Sequence, residues 1–399
     1  MAWLIRRRQP KFAFLVHPRT DEFVRRDTYG HNDIYRPFPA FRWLFRILPE
    51  RIARRFVLWF AKTVVPITLS RIHVHAGGER HYGYLLSTVR TPGVLLGMAS
   101  EETRAHLSDL FWLAAKKGVR RVGLGALLPS MTGYGRRFVG APLFDRPAVS
   151  TGHAYTGYVI VEFLKFLVAR RNPDAPVVKV AVAGAAGSTG KAVLRVLKRT
   201  WTGPVRLSLQ LVDLPKRVSV LQSLAREARG CGACTEVSVS TDLSSLRLCE
   251  YVIVVTNASS VIIRPEHLCP GSVVIDDSQP RNTSEDLVAH GCYVIDVLAR
   301  VPGLDCCFDF GFQTNDPTVT FTCLAETVLA TICGETGDLA VGEVTDDVVG
   351  RMIQIVKESA RLGLVGPLPL FSFGRELTEK ERNLVLKPTL THLAVLPAG

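Results

Sequence analysis

The chain has 399 residues, 47% hydrophobic and 21% charged, with a formal net charge of +13 at neutral pH. That length accommodates two domains with sizeable cores, and the balance of apolar to charged residues excludes wholesale disorder. No uncharged apolar run reaches the roughly 20 residues of a membrane-spanning helix; the nearest, VIVVTNASSVII from Val252 to Ile263, is short and carries polar residues.

At the start, MAWLIRRRQP places arginines after its few apolar residues, which is not the order of a signal peptide. KFAFLVHPR then reads as an extended apolar run. The stretch FPAFRWLFRILPERIARRFVLWFAK follows, with Phe41, Leu44, Phe45, Leu48, Ile52 and Phe56 at helical spacing and Arg42, Arg46, Arg51, Arg54 and Arg55 between them. Pro49 divides it into two helices. Residues 1–62 hold 14 Lys and Arg against five Asp and Glu. This region is either a core-facing helix pair with a solvated basic side or a surface for an acidic carrier protein or a membrane interface. Nucleic acid is not an expected partner, because no recognised binding motif accompanies the charge. All nine cysteines lie from Cys231 onward, an odd count that does not read as a disulfide scaffold. The expected location is cytoplasmic, with peripheral membrane contact as a further option.

Strands are predicted around RIHVHAG and YLLSTV. A helix follows over SEETRAHLSDLFWLAAKKG, with Ser100 as its cap and Glu101 and Glu102 at its positive end. VRRVGLGALLPSMTGYG reads as a strand entering a glycine-rich loop. After the turn-rich junction ARRNPDAP (Ala169 to Pro176), β-branched runs alternate with helical segments: VVKVAVAG, TGKAVLRVLKRT, VRLSLQLVD, PKRVSVLQSLAREA, TEVSVS, YVIVVTNA, SVVIDDSQ and CYVIDV. Such runs indicate parallel strands buried on both faces, hence an α/β fold with a Rossmann-like doubly wound sheet. The tail after Thr345 is predicted helical, then Pro-rich and irregular. The expected division is an N-terminal α/β substrate domain over 1–172, a nucleotide-binding domain over 173–345, and a C-terminal segment over 346–399 packing back on the first.

Between the first strand and helix of the alternating series stand Gly184, Gly187 and Gly190, with Ser188 and Thr189 between the last two. A GxxGxxG turn there lets the backbone approach a pyrophosphate at a helix N-terminus. Asp213, closing the next strand, is placed to accept from an adenosine ribose, which favours NADH. Lys216 and Arg217 follow it and suit the extra phosphate of NADPH, so the choice of cofactor stays open. Thr256, Asn257 and Ser259 are candidates for the nicotinamide side, against a simple helix cap. Asp276 and Asp277 read either as turn formers or as site residues.

The stretch TVTFTCLAETVLATICG sets Cys323 among threonines before an apolar run. A buried cysteine is commonly inert packing. As a nucleophile it needs its thiolate, favoured at a helix N-terminus or beside a base. The helix starts either at Asp316–Pro317 or near Thr322, and only the second puts Cys323 in its dipole field. Glu326 shares a helix face with Cys323 and suits positioning rather than direct chemistry. His153, Tyr155 and His17 are the candidate bases. CGAC (Cys231, Cys234) lacks a second ligand pair, and no metal is expected.

With these residues in view, the chain resembles the cyanobacterial long-chain acyl-[acyl-carrier-protein] reductases, which form fatty aldehydes. FAFLVHP, VSTGHAYTGYVI, VAVAGAAGSTGKAV, YVIVVTNASS, SVVIDDSQPRN, TFTCLAETVLA and KESARLGLVGPLPL each have a counterpart there, in order. The resemblance implies that Cys323 is the acylated residue, that the substrate is a fatty acyl thioester on acyl carrier protein or coenzyme A, and that NADPH or NADH reduces it. Two positions depart from the family: Tyr155 stands where it has a histidine, with His153 two residues earlier, and Asp213 where it has an arginine. The rival expectations are a ketone-reducing dehydrogenase of the shikimate type, without a covalent step, and a non-catalytic NAD(P)-binding sensor.

Overall fold

The computed structural model describes residues 11–18, 47–49, 66–88, 92–139, 146–258, 260–306 and 310–387, together with Arg51, Ile52, Arg55, Trp59, Arg90 and Phe308. The basic helices expected over 41–62 therefore lie largely outside the described residues, as does Ser259. Of that stretch, residues 47–49, Arg51, Ile52, Arg55 and Trp59 are described, and all but the half-buried Leu48 are exposed.

Two structural units make up the chain. One combines residues 1–155 with 298–367, the other 156–297 with 368–399. In the first, β1 (Phe12–Val16) is followed by a hairpin of β2 (Ile67–Ala76) and β3 (Glu79–Ser87). The hairpin turns on Gly77 and Gly78, with φ of +54° and +78°, the two positive values a tight two-residue connection demands. Helix α1 (Ser100–Lys116) leads to β4 (Arg121–Leu124) and β5 (Ala148–Ser150). β1 lies parallel to both β3 and β4, and β4 to β5. Leu107, Leu110, Phe111 and Ala114 form one helical stripe that packs on Ala13, Leu15, Val122 and Leu124. Ser100 is not the cap: Ala99 holds that position, and the Ser100 side chain instead accepts from Arg104 Nη2 at 3.1 Å, one turn into the helix.

Helix α2 (His153–Arg171) begins in the last residues of that unit, so the boundary falls between Tyr155 and Thr156 rather than at 172. The helix belongs largely with the second unit because it packs there closely. A Cβ on Gly157 would stand 2.7 Å from Ala192 Cβ. The second unit then runs β6 (Val177–Ala183), α3 (Ser188–Thr200), β7 (Arg206–Val212), α4 (Val218–Arg229), β8 (Cys234–Ser240), β9 (Tyr251–Val254), β10 (Val273–Asp276) and β11 (Tyr293–Asp296). These six strands form one sheet, all parallel, in the order β11–β10–β9–β6–β7–β8. That is the doubly wound Rossmann order, with its switch point between β6 and β9. The predicted alternation is present strand for strand.

The chain then returns to the first unit. β12 (Leu298–Arg300) pairs antiparallel with β14 (Val319–Phe321), and β13 (Leu304–Cys306) adds to the edge at β2. Helix α5 (Thr322–Ile332) covers β4 and β1 on the face opposite α1. Gly123 lets it seat, since a Cβ there would overlap the Thr327 hydroxyl. α6 (Asp346–Arg361) follows, capped by the Thr345 side chain. The expected contiguous 173–345 domain is thus divided at Val297. Local pattern continues β-then-α through Ile332, and only long-range packing assigns α5 to the first sheet.

Residues from Leu368 onward belong to the second unit; those up to Lys387 are described and carry regular structure, and the rest of the tail expected to be irregular lies outside the described residues. β15 (Phe371–Ser372) and β16 (Arg375–Glu376) form a small hairpin, followed by α7 (Glu379–Val385) with a Thr378–Glu381 capping box. The Asp296 carboxylate at the end of β11 accepts from the Phe373 and Gly374 amides, the latter at 2.6 Å. It also receives both Arg281 nitrogens, at 2.6 and 2.8 Å. No helix among the described residues is long and apolar enough to cross a membrane.

Candidate functional site

In the first unit, α5 begins at Thr322, so Cys323 stands in its first turn, at the positive end of an eleven-residue helix. The earlier start is excluded. Asp316 closes a turn instead, accepting from the Thr318 amide at 3.0 Å and from Arg300 Nε at 2.8 Å. Cys323 forms no disulfide.

Gly152 lies directly against Cys323. Its φ is +83°, and a Cβ there would stand 2.6 Å from Cys323 Cα, so both backbone conformation and space require glycine. Glu326 holds the two segments together. Fully buried, its carboxylate accepts from Ser150 Oγ at 2.5 Å, from the Gly152 amide at 2.9 Å, and from the Tyr155 amide at 2.8 Å. Burial pushes this carboxyl up, opposed by those three hydrogen bonds and by the Arg121 guanidinium. The acid caps the start of α2 from α5, which is a positioning role. Arg121, also buried, is fixed by the Glu335 and Gly337 carbonyls at 2.8 and 2.9 Å.

His153, the first residue of α2, has a definable tautomer. Thr151 Oγ1 donates its single proton to the Ala340 carbonyl at 2.8 Å, so at 2.9 Å from His153 Nδ1 it acts as acceptor. Nδ1 therefore carries the hydrogen, and Nε2 presents a lone pair. Burial holds this imidazole down at about 4, neutral at physiological pH. Its ring meets the edge of Tyr134 at 5.4 Å. Tyr155 has a buried side chain and contributes its amide to Glu326. His17 is structural: Nε2 accepts from the Leu127 amide at 3.1 Å, and Nδ1 bonds the Pro18 carbonyl.

In the second unit, the turn after β6 is built as the glycines require. Gly184 has φ +88°, and a Cβ would lie 2.7 Å from the Val255 carbonyl oxygen on β9's continuation. On Gly190 a Cβ would lie 2.5 Å from the Gly184 oxygen. The amides of Gly184, Ala186 and Gly187 are spent within the fold. Gly187 caps α3 without a side chain, and the first intrahelical bond comes from Lys191. The amides of Ser188, Thr189 and Gly190 thus face the cap with no intrahelical acceptor, and Ser188 Oγ is buried without a protein partner. A glycine cradle, three available donors and an orphaned hydroxyl fit a dinucleotide's pyrophosphate.

Asp213 closes this turn, accepting from Ala186 at 2.9 Å and from Leu214 at 2.8 Å. Lys216 and Arg217 are exposed on the single turn after it. Thr256 donates to Asn282 Oδ1, and Asn282 in turn donates to the Ala258 and Ser260 carbonyls at 2.9 and 3.0 Å, so Thr256 is part of a loop clasp. Asn257 is exposed. Asp276 is a turn former, bonded to Ser278 and Thr283. Burial, then the neighbouring Asp276 carboxylate, pushes Asp277 well above the usual carboxylate range. Cys231 and Cys234 are thiols at the start of β8, and no metal-ligand cluster occurs among the described residues.

Gly152, Ser150, Thr151 and Asn282 escaped sequence reasoning. Only Gly152 left a signal, a glycine immediately before a helix start.

No family model matches the chain, and no curated protein does. Among solved structures, malate dehydrogenase from Naegleria fowleri is similar at 16% identity and a TM-score of 0.25, covering 29% of this chain and 43% of that one. The yhdH oxidoreductase from Salmonella enterica, solved with NADP, matches at 14% and 0.25, covering 37% and 43%. The nucleotide-binding domain of glutamyl-tRNA reductase from Thermoplasma volcanium matches at 12% and 0.24, covering 35% and 84%. This chain therefore spans less than half of the first of these structures.

Proposed function

We propose that the chain is an NAD(P)H-dependent reductase that converts a fatty acyl thioester into a fatty aldehyde through a thioacyl group on Cys323. The observation that carries this reading is the seating of Cys323 in the first turn of α5, against Gly152, with the segment leading to His153 clasped by Glu326. The resemblance of TFTCLAETVLA and its companions to the acyl-[acyl-carrier-protein] reductases supports it.

The dipole and first-turn amides of α5 favour negative charge on the sulfur. His153 Nε2 takes the thiol proton. The Cys323 sulfur attacks the thioester carbonyl, a new sulfur–carbon bond forms, and the bond to the carrier sulfur breaks. The departing carrier thiolate receives the proton from His153, so the exchange is balanced. Ser188, Thr189 and Gly190 would hold the pyrophosphate, and Asp213, Lys216 and Arg217 the adenosine side. A nicotinamide cofactor held by those residues would supply the hydride for reduction of the thioacyl carbonyl, and Cys323 would then be released as thiolate.

An acyl-CoA supplied without cofactor should add one acyl mass to the wild type and none to Cys323→Ala, read by intact mass spectrometry. Labelling that survives the substitution removes the assignment. A Cys323→Ala variant that keeps most of its reductase activity would favour a ketone-reducing enzyme without a covalent step.

A further inference from the structure

Among the described residues, Ala126, Tyr134, Ala340 and Phe373 are the non-glycines with positive φ. Two of them converge on His153. Tyr134, at φ +56°, stands between Gly133 at +61° and Gly135 at +79°. Glycine takes that conformation freely, whereas a β-carbon in it is strained. Both sides of the Tyr134 backbone are fastened. Its amide donates to the Pro129 carbonyl at 2.6 Å, and its carbonyl accepts from the Gly342 amide at 2.7 Å. Ala340, at φ +55°, holds the other side: its carbonyl accepts from Thr151 Oγ1, which in turn accepts from His153 Nδ1 at 2.9 Å.

The left-handed run in SMTGYG would be less strained with three glycines. A side chain kept at such a position points to a use for it. Here the Tyr134 ring meets the His153 imidazole at 5.4 Å between centroids, with 67° between the planes. Gly135 presses the turn onto the end of β5 that leads to His153, since a Cβ there would stand 3.0 Å from Val149 Cγ1 and 3.4 Å from Thr151 Cγ2. One hydrogen bond to Nδ1 settles the tautomer but still lets the ring swing about that bond. An edge-on aromatic neighbour removes the remaining freedom.

We infer that Tyr134 is a positioning residue for His153, its ring holding the imidazole so that Nε2 is aimed at the Cys323 thiol. The inference rests on the reading that His153 takes the thiol proton, and it adds what aims the base. The proton passes from Cys323 Sγ to His153 Nε2, and Tyr134 itself exchanges none.

The test is a double-mutant cycle of Tyr134→Gly and His153→Ala. Two rates are read: acylation of Cys323 by hexadecanoyl-CoA without cofactor, and alkylation by iodoacetamide, which needs the thiol proton removed but no acyl group. A positioned general base contributes about a hundredfold or more, so misaiming it through Tyr134→Gly should slow both reactions roughly tenfold. The melting temperature should hold, because the backbone at φ +56° suits glycine. Tyr134→Phe keeps the ring and should restore most of the rate. In the His153→Ala background, Tyr134→Gly should cost nothing further. A merely structural role would instead lower the melting temperature and cost the same factor in both backgrounds. Additive losses, or a Tyr134→Phe variant as slow as Tyr134→Gly, overturn the inference, while acylation of the wild type leaves the thioester reading standing. A His153→Ala variant that changes neither rate overturns the base and its positioning together. A wild type that iodoacetamide labels and hexadecanoyl-CoA does not overturns the thioester reading, and the alkylation cycle then decides the role of Tyr134.

Discussion

Gly152 meets Cys323 where the glycine tolerates no added atom. Substituting Gly152→Ala asks a side chain to take a left-handed conformation and to overlap Cys323 at once. Positive-φ strain alone costs on the order of 1–3 kcal/mol, and the overlap adds to it. The expected result is a lower melting temperature together with slower alkylation of Cys323 by iodoacetamide. Unchanged alkylation would show that the contact does not seat the thiol. Histidines give a second prediction at this scale. Burial holds both His106 and His153 down at about 4. In the unfolded chain a histidine takes its proton near 6.5, so between those values protons bind the unfolded state preferentially. Stability should be full above about pH 6.5 and fall as pH drops toward 4. Replacing His106, whose Nε2 meets Thr88 Oγ1 at 2.5 Å, with glutamine should reduce the fall in melting temperature across that window. Identical pH slopes in variant and wild type would remove histidine protonation as the cause.

Among the elements, the β6–turn–α3 unit is the most tightly specified. Gly184→Ala would press a methyl onto the Val255 carbonyl of the neighbouring strand's extension. NADPH binding, followed by quenching of protein or cofactor fluorescence, should weaken by more than about tenfold, since a shift of ~1.4 kcal/mol suffices for that factor. Unaltered binding would place the cofactor elsewhere. This element was legible in the sequence for a physical reason. Strands buried on both faces are written as continuous β-branched runs, as in VVKVAVA, and a turn that admits no Cβ is written in glycine. Helix α5 was legible as a helix but not as a partner of the first sheet. Gly152 and Glu326 are 174 residues apart, and no periodicity records a contact at that distance. The Asp316 and Ser100 caps failed for a related reason: a short polar side chain near a helix start can close a turn or bond its own helix just as well, and neighbours decide which.

Across the whole molecule, charge is spread unevenly, and the excess lies in residues 1–62. Exposed Ile47, Ile52 and Trp59 accompany Arg51 and Arg55 there, and under the proposed function this amphipathic mixture would meet an acidic acyl carrier. Reversing Arg51, Arg54 and Arg55 to glutamate should weaken carrier binding at low ionic strength, and added salt should weaken the wild type similarly, because screening acts within about 10 Å at 0.1 M. Carrier affinity that ignores both treatments would reject this surface.

The interrupted path of the chain has a consequence for how it is made. Domains tend to form in the order in which the ribosome releases them. Here the first-encoded sheet waits for α5 and β13, both made after β11. All six strands of the second unit's parallel sheet have by then emerged. The sheet that begins first therefore waits for its roof until the other sheet's strands are out, and during that interval Phe12 and Phe14 stand without the helix that will cover them.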